Sequence, residues 1–359
     1  MQPGRERWPK MARTGVVVTK LSEIVDGQEA TCFAALVKKT RGLTRTNQPY
    51  VKCLFRDKRV KLEAPLWSDH ALLPESETWR EGTAYRIQVR GKYDLRYGMQ
   101  LDLQAIRPAT EDDAVDGYDF ADLVEDSYIP ADELLKKLNH LIEQHIEHPA
   151  LRRLVESLLG AHLAAFKRMP AAATFHHAYT AGLLEHVWSM TRVACLLADH
   201  YAKYYNKLDP PLSRDIVIAA TILHDIGKLR ELEYHPVEAR YTKEGRLIGH
   251  ILMGRDMVRE AARRIEGFPE DMLLRLEHAI LAHHGRREFG APVLPQTLEA
   301  LLVAHIDDLD AKMNIVAREL MRAEAADGFT ERIFALDNRQ FYKGLPEEAA
   351  PGSSLPPLA

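Results

Sequence analysis

The hydrophobic periodicity of the chain changes near Ala131 and divides the sequence into two parts. After Ala131, apolar residues recur at spacings of three and four almost without interruption, which is the pattern of amphipathic helices. The pattern predicts a bundle of about seven helices, over residues 132–146, 149–169, 181–205, 214–229, 247–265, 271–284 and 297–321.

Residues 15–110 follow a different pattern. Short runs rich in β-branched and aromatic residues alternate there with Gly, Asn and Pro turns, which predicts about five to six strands. The runs span residues 15–21, 29–40, 49–57, 59–67, 83–94 and 98–107. So many short strands in one compact segment predict a small β-barrel.

These patterns predict a multidomain β + α chain of five segments. They are a flexible N-terminus at 1–14, a barrel domain at 15–110, an acidic linker at 111–133, a helical domain at 134–325 and a C-terminal tail at 326–359. Residues 111–133 contain ten acidic side chains and no basic one, so we expect a solvated linker, in which Tyr118, Phe120 and Tyr128 could dock on a neighbour. The last fifteen residues are rich in Pro, Ser and Ala, which predicts disorder.

The charge of the chain is unevenly distributed. Residues 1–110 contain 20 Lys and Arg against 12 Asp and Glu, whereas residues 111–359 contain 28 against 40. A basic barrel suits a polyanionic partner. The sequence has no stretch of about 18 apolar residues and no secretory leader pattern, so we expect no membrane span and a cytoplasmic location. With only three cysteines, any metal site must rely on nitrogen and oxygen ligands.

Histidine is concentrated in the helical part, where 15 of the 16 lie at or after His140. Several fall near the ends of predicted helices, together with aspartates, as His186, His224, Asp225, His250, His283, His284 and Asp307. Imidazoles and carboxylates that converge from several helices form a bundle-core metal site. Adjacent side chains on a helix diverge by about 100°, so a His-Asp pair lets the carboxylate bridge two ions while the imidazole binds one.

Five motifs occur in order: "HHAYTAGLLEH", "ILHDIGKL", "GHILMG", "LAHHG" and "HIDDLDAKM". In this order they resemble the HD-domain superfamily of metal-dependent phosphohydrolases. The longer stretches "EGRLIGHILMG", "AHHGRREFGAPVLPQTLEA" and "IDDLDAKMN" resemble one branch of it, the bacterial YhaM-type 3′-5′ exoribonucleases. That branch places an OB-fold before the helical HD domain, which is the order predicted above from the strand pattern and the charge.

The resemblance implies a binuclear site. It assigns His186, His224, Asp225 and Asp307 to a first metal, and Asp225, His250, His283 and His284 to a second, with Asp225 as the bridge and with one histidine of the 283–284 pair as an alternative phosphate contact. Two divalent cations would activate a water for attack on a phosphodiester. Mixed imidazole and carboxylate ligation favours Mn²⁺, Fe, Co²⁺ or Zn²⁺ over Mg²⁺, and the family makes Mn²⁺ the first choice.

Two further residues near these ligands are open to more than one interpretation. Lys228 matches a family lysine that stabilises phosphoryl oxygens, which would make it catalytic together with Asp225, or it could offset the dipole of the preceding helix. Glu185, beside His186, could orient a ligand or bind a further ion, but a solvated helix carboxylate is the favoured interpretation.

The barrel carries basic residues interleaved with aromatic ones, which is typical of single-strand binding by base stacking and phosphate contacts. The candidate binding residues are Tyr50, Phe55, Trp67, Tyr93, Tyr97, Lys52 and Arg90. Each aromatic residue taken alone is more often part of a barrel core than a stacking surface, because alternation buries every second residue of a strand, so the excess of basic residues is the better evidence for binding. With the family, these features predict a partner, single-stranded RNA, with single-stranded DNA as an alternative.

Three functions remain open from the sequence. The favoured one is a metal-dependent 3′-5′ exoribonuclease. The second is a phosphohydrolase of nucleotides or cyclic dinucleotides with a regulatory barrel, and the third is a non-catalytic single-strand-binding protein.

The apolar face of residues 151–166 is also a candidate surface for a homo-oligomer.

Overall fold

The computed structural model describes residues 18–124, 127–172, 177, 179–234, 239–322 and 328–344. The chain forms two compact units. One contains the described residues up to Val124 together with Tyr234 and Ala239, and the other contains the remaining described residues.

The first unit is a closed five-stranded barrel. Its strands are β1 (Glu29–Leu43), β2 (Pro49–Arg56), β3 (Lys61–Leu66), β4 (Ala84–Asp94) and β5 (Gly98–Pro108). They are joined in the order β1-β2-β3-β5-β4, and every pair is antiparallel except β3 with β5. This is the architecture of an OB-fold, which confirms the predicted fold class. The predicted strand at 15–21 is wrong in its described part, because Val18 forms only an isolated bridge and Leu21–Glu23 is a 3₁₀ helix.

Strand β1 is buried on both of its faces between residues 31 and 37. Cys32, Ala34 and Leu36 point into the barrel core. Phe33, Ala35 and Val37 point outward, where Leu123 and Val124 cover them. This two-sided burial explains why the β1 sequence is a continuous apolar run and does not alternate.

Residues 111–124 pack on the barrel, so the predicted solvated linker is not what this segment forms. Tyr118 lies 5.0 Å from Phe33 between ring centroids, as expected for a docking aromatic residue. Asp113 is buried and accepts hydrogen bonds from Arg107 and from Arg86, the latter at 3.1 Å. Two arginines of the barrel thus compensate a carboxylate of this acidic segment. Their charges offset the free-energy cost of removing the Asp113 carboxylate from water.

The second unit is a helical bundle, as predicted, with one short two-stranded ribbon. The helices are α1 (Ala131–His145), α2 (Pro149–Ala161), α3 (Leu163–Phe166), α4 (Gly182–Tyr204), α5 (Arg214–Leu223), α6 (Lys228–Glu231), α7 (Lys243–Ile248), α8 (His250–Ala262), α9 (Glu270–Ala282) and α10 (Leu298–Arg322). A two-stranded ribbon of β6 (Leu232–Glu233) and β7 (Arg240–Tyr241) precedes α7. The seven long helices match the seven predicted segments, and the three others are short.

Helix α5 is the centre of the bundle. Every residue from 216 to 223 is buried, because the run is apolar on all sides. Helices α1, α2, α4, α9 and α10 all contact it. The residues that follow its C-terminus therefore lie inside the bundle.

Three further expectations concern the surface and the ends. The apolar face of α2 is buried within its own unit through Leu151, Leu154 and Leu158, so it does not supply the oligomer surface considered above. No described helix is both long and apolar enough to cross a bilayer. Residues 328–344 form short bridged segments with Thr330 and Leu336 buried, whereas residues 1–17 and 345–359 lie outside the described part.

Candidate functional site

His224 and Asp225 lie at the buried end of α5. His224 is fully buried and Asp225 is 2% exposed. The turn after them is tight: a Cβ at Gly227 would lie 2.0 Å from the carbonyl oxygen of His250 and 2.6 Å from the backbone nitrogen of Gly254. Since the φ of Gly227 is −64°, the glycine is required by close packing against α8 and not by an unusual backbone conformation.

Four other helices bring the remaining predicted ligands to the same place. α4 contributes His186 from its first turns, α8 begins at His250, α9 ends just before His283, and α10 contributes Asp307. Ligand atoms of these residues fall into groups compact enough to hold a metal ion, which also include His284. The structure thus brings together all seven residues that the sequence predicted as ligands.

The two carboxylate oxygens of Asp225 face different histidines. Oδ2 lies 3.3 Å from Nε2 of His224 and 3.9 Å from Nε2 of His186. Oδ1 lies 3.4 Å from Nε2 of His250 and 3.7 Å from Nε2 of His283. The carboxylate therefore stands between two histidine pairs, as a bridging ligand must.

Asp307 completes the group on one side of this carboxylate. Its Oδ1 lies 3.2 Å from Nε2 of His186 and 3.8 Å from Nε2 of His224. His284 stands on the opposite side, with its ring centroid 4.4 Å from that of His283 and 5.2 Å from that of His250. The cluster thus has two lobes that share Asp225.

The imidazoles of all five histidines are oriented in the same way, by a contact between Nδ1 and an oxygen atom. In each, Nδ1 contacts an oxygen at hydrogen-bonding distance, which leaves Nε2 as the nitrogen that faces the cluster. The acceptors are Asp310 Oδ2 for His186 (2.7 Å), Thr221 O for His224 (2.8 Å), Glu231 Oε1 for His250 (3.0 Å), Ile280 O for His283 (2.7 Å) and Phe289 O for His284 (2.7 Å).

The inward-facing atoms fit a metal site. Within the described chain, Nε2 of His224, His250 and His283 and Oδ1 of Asp225 are buried without a hydrogen-bond partner. Such orphaned polar atoms are costly unless something coordinates them. Ligand atoms that share one ion at about 2.0–2.2 Å lie roughly 3.0–3.6 Å apart, which is close to the 3.2–3.8 Å spacings around Asp307 and His224. The donor set therefore suits a divalent metal ion.

The electrostatics of the cluster favour an ionised Asp225 and a neutral His283. Burial opposes ionisation of Asp225, but the charges of Lys228 and His224 hold its pKa well below the usual range. Burial and the neighbouring His224 lower the pKa of His283. Burial also opposes protonation of His186, yet the carboxylates of Asp307 and Asp310 raise its pKa to about 9, so a cation that binds there displaces a proton.

Lys228 begins α6, and its Nζ lies 2.6 Å from Oδ2 of Asp225. The lysine side chain is itself buried. It therefore compensates a proposed ligand directly, a role that neither of the two interpretations from sequence included.

Several residues at the site were missed or misread from the sequence. Asp310 and Glu231 orient histidines, and His177 contacts Asp310. The available signal was their spacing: Asp310 follows Asp307 by three residues and Glu231 follows Lys228 by three, so each pair shares a helix face. Glu185 is 9% exposed, so its interpretation as a solvated carboxylate is wrong.

The candidate binding residues of the barrel divide into exposed and buried ones. Trp67, Tyr93 and Tyr97 are 50%, 57% and 59% exposed. Tyr50 is half-buried and lies 5.4 Å from Trp67 between ring centroids. Phe55, in contrast, is fully buried in the barrel core, so it is not placed to stack on a base, because the inward face of β2 carries it.

The two candidate basic residues are at the barrel surface. Lys52 forms an ion pair with Glu63 at 3.0 Å, which partly neutralises it, and Arg90 is exposed on β4. A Cβ at Gly42 on β1 would lie 2.5 Å from the ring of Tyr50, so a larger residue there would push that ring aside. Tyr50 thus covers the backbone of β1 and leans toward Trp67.

The chain matches one family model and is similar to curated proteins along most of its length. Residues 183–312 match the model of the HD domain family. The chain is 35% identical over 329 residues to the 3′-5′ exoribonuclease YhaM of Bacillus subtilis, covering 92% of this chain and 98% of that protein. It is also 35% identical over 330 residues to the protein of the same name from Shouchella clausii, covering 92% and 96%.

Among solved structures, a domain of replication protein A from Methanococcus maripaludis matches 25% of this chain and 92% of its own length, with 16% identity and a TM-score of 0.21. The second OB-fold domain of the same replication protein matches 26% of this chain and 95% of its own length, with a TM-score of 0.21.

Proposed function

The chain belongs to the YhaM family of HD-domain 3′-5′ exoribonucleases, and on this premise we propose that it degrades single-stranded RNA from the 3′ end by metal-dependent hydrolysis of phosphodiester bonds. The observation that carries the proposal is the convergence of Nε2 atoms from four helices on the carboxylates of Asp225 and Asp307. Among the described residues, Nε2 of His224, His250 and His283 is buried without a hydrogen-bond partner, which is costly unless a metal ion coordinates it.

In this proposal the site holds two divalent cations. His186, His224, Asp225 and Asp307 form the first site, and Asp225, His250, His283 and His284 form the second. The opposite orientation of the two Asp225 oxygens supports a bridging role. The mixed nitrogen and oxygen donor set favours Mn²⁺ over Mg²⁺.

Bound cations at this site supply Lewis acidity toward the phosphate and a nucleophile at neutral pH. The protein's own residues hold the site ready for that chemistry. Lys228 keeps Asp225 ionised through its contact with Oδ2. As a buried cation beside the proposed phosphate position, it also offsets charge that develops on the scissile group.

The barrel supplies the binding of single strands in this proposal. Exposed Trp67, with Tyr50 beside it, presents aromatic surface for base stacking, and Tyr93 and Tyr97 present a second patch on the β4–β5 hairpin. Stacking contributes about 1–3 kcal/mol per base and tolerates any sequence. Single-stranded DNA has the same aromatic faces and phosphates, so we expect it to compete with RNA for the barrel.

The test uses a 5′-end-labelled single-stranded RNA with the full-length protein and Mn²⁺. Wild type should shorten the RNA stepwise from its 3′ end, and Asp225→Ala should not. Asp308→Ala is the matched control, because Asp308 lies beside Asp307 on α10 but is exposed and pairs with Lys312. If wild type leaves RNA intact but hydrolyses a cyclic dinucleotide or a nucleotide, the exoribonuclease proposal fails. Strand binding without hydrolysis in any divalent metal would also contradict it.

A further inference from the structure

Asp310 lies on α10 one turn after Asp307 and is outside the ligand set proposed above. Its Oδ2 lies 2.7 Å from Nδ1 of His186 and 3.0 Å from Nε2 of His177. Its Oδ1 accepts a hydrogen bond from Ser189. We propose that Asp310 is the positioning residue of His186, that His177 and Ser189 hold Asp310 in place, and that this network sets the affinity of the first metal site. The inference rests on the proposed function.

The spacing distinguishes this network from a third metal site. Side-chain atoms of His177, His186 and Asp310 are close enough to be considered as a ligand group. However, the 2.7 Å and 3.0 Å contacts are direct hydrogen bonds, shorter than the 3.2–3.9 Å separations around Asp225 and Asp307. Both oxygens of Asp310 have hydrogen-bond partners, whereas Oδ1 of Asp225 is buried without one, so we place Asp310 outside the ligand set, as the residue that orients His186.

The orientation follows from the geometry of one imidazole ring. The two nitrogens of His186 point to different carboxylates, Nδ1 to Asp310 and Nε2 to Asp307. With Asp310 accepting at Nδ1, the neutral ring carries its lone pair on Nε2, on the side of the proposed metal. Without an acceptor at Nδ1, the ring could rotate or place its proton on Nε2, and either change removes the ligand atom.

His177 is held in place by an unusually specific environment. Its φ of +46° lies in the left-handed region, which residues other than glycine adopt only where the surrounding structure imposes it. Its backbone N–H donates to Oδ1 of Asn314 at 2.9 Å, and its carbonyl accepts from Ala171 at 3.0 Å. A Cβ at Gly182 would lie 1.9 Å from that carbonyl oxygen. The first turn of α4 and the middle of α10 thus both pack directly against the backbone of His177.

Both ring nitrogens of His177 have partners. Nε2 contacts Asp310, and Nδ1 lies 2.8 Å from the hydroxyl of Tyr179, which itself accepts from Asn314 at 3.2 Å. The side chain is 3% exposed, so these contacts are shielded from water. The order of the network is therefore Asn314 and Tyr179 to His177, His177 to Asp310, and Asp310 to His186.

Asp310→Asn is the deciding variant, because it keeps the shape of the side chain and can offer an amide N–H where His186 needs an acceptor. Asp308→Asn is the matched control on the same helix. Mn²⁺ binding to the metal-free full-length proteins is measured by titration calorimetry. We expect Asp310→Asn to weaken one of the two binding steps by roughly 10- to 100-fold, with the other step and the Asp308→Asn protein like wild type.

A second readout separates positioning from general damage. At saturating Mn²⁺ the Asp310→Asn protein should recover most of its RNA-degrading kcat, and its KM for RNA should match that of wild type. If folded Asp310→Asn binds both ions as wild type does, the inference is overturned. If it does not fold, Ser189→Ala decides: weaker binding at one step supports the inference and unchanged binding overturns it. A wild-type protein that binds no Mn²⁺ overturns the proposed function, and the inference with it.

Discussion

Lys228 and Asp225 form a buried ion pair in which Nζ lies 2.6 Å from Oδ2. The partners are three residues apart, and both are less than a tenth exposed. The pair leaves the other oxygen, Oδ1, facing the imidazoles of His250 and His283. One carboxylate is therefore both charge-compensated by the protein and open to coordination.

Replacing Lys228 by Met should destabilise the metal-free protein and slow catalysis. A buried carboxylate that loses its cation costs about 3 kcal/mol or more of unfolding free energy, and bound Mn²⁺ should restore much of that loss. At saturating Mn²⁺ we expect kcat to fall roughly 100-fold, as for other lost electrostatic contacts to a transition state. Urea unfolding with and without Mn²⁺ and single-turnover RNA cleavage measure both effects. Lys312→Met, on exposed α10 surface, is the control, and an unchanged kcat for Lys228→Met would rule out a catalytic role.

Gly227→Ala should displace His250 from the metal site. The added Cβ would lie 2.0 Å from the carbonyl oxygen of His250. Because this oxygen is a backbone atom, it cannot move aside as a side chain can, so the start of α8 must shift. We expect a loss of about 1–3 kcal/mol in unfolding free energy from overpacking and weaker Mn²⁺ binding. Gly254→Ala is the comparison, because its nearest contact is the Gly227 nitrogen at 3.2 Å. Chemical unfolding and metal titration should rank Gly227→Ala as much the more damaging, and equal effects would count against the packing argument.

Trp67→Ala should weaken single-strand binding without unfolding the barrel. Loss of one stacked base costs about 1–3 kcal/mol, which is a roughly 5- to 150-fold weaker Kd in fluorescence anisotropy with labelled RNA and no added metal. Tyr50→Ala should weaken binding similarly. The double variant should lose less binding free energy than the sum of the two single losses, because the two rings are in contact. Phe55→Ala should instead lower stability by about 3–5 kcal/mol. Wild-type affinity in Trp67→Ala would remove that residue from the binding surface.

Asp113 should make the barrel sensitive to acid. The hydrogen bond from Arg107, with further contributions from Thr110 and Arg86, outweighs burial and lowers the pKa of Asp113. Because the folded pKa lies below the unfolded value of about 3.9, the stabilisation is complete above that pH and is lost as the pH falls through the folded pKa. The stability difference between wild type and Asp113→Asn, measured by urea unfolding of the full chain, should therefore be constant above about pH 5 and shrink below about pH 4. A difference that does not change with pH would contradict this account.

Much of this architecture could be predicted from local patterns. The change of periodicity near Ala131 separates strands from helices, and the apolar run of α5 leads directly into His224 and Asp225. The boundary of the barrel unit was misplaced, because ten acidic residues between 111 and 133 suggest solvent exposure. Arg86 lies 27 residues from Asp113 along the chain, so only the folded barrel shows that it joins the nearby Arg107 in compensating this carboxylate.

The sequence by itself determined the kinds of side chain proposed as ligands, their order along the chain and the helices that carry them, since these depend on residue type and on a helical period of 3.6. Only the tertiary structure decided which nitrogen of each histidine faces the site, that Phe55 is core while Trp67 is exposed, and that Asp310 and Glu231 orient His186 and His250. The physical reason is that ring orientation and burial depend on atoms supplied by other helices and strands, at distances of a few ångströms that no local pattern contains.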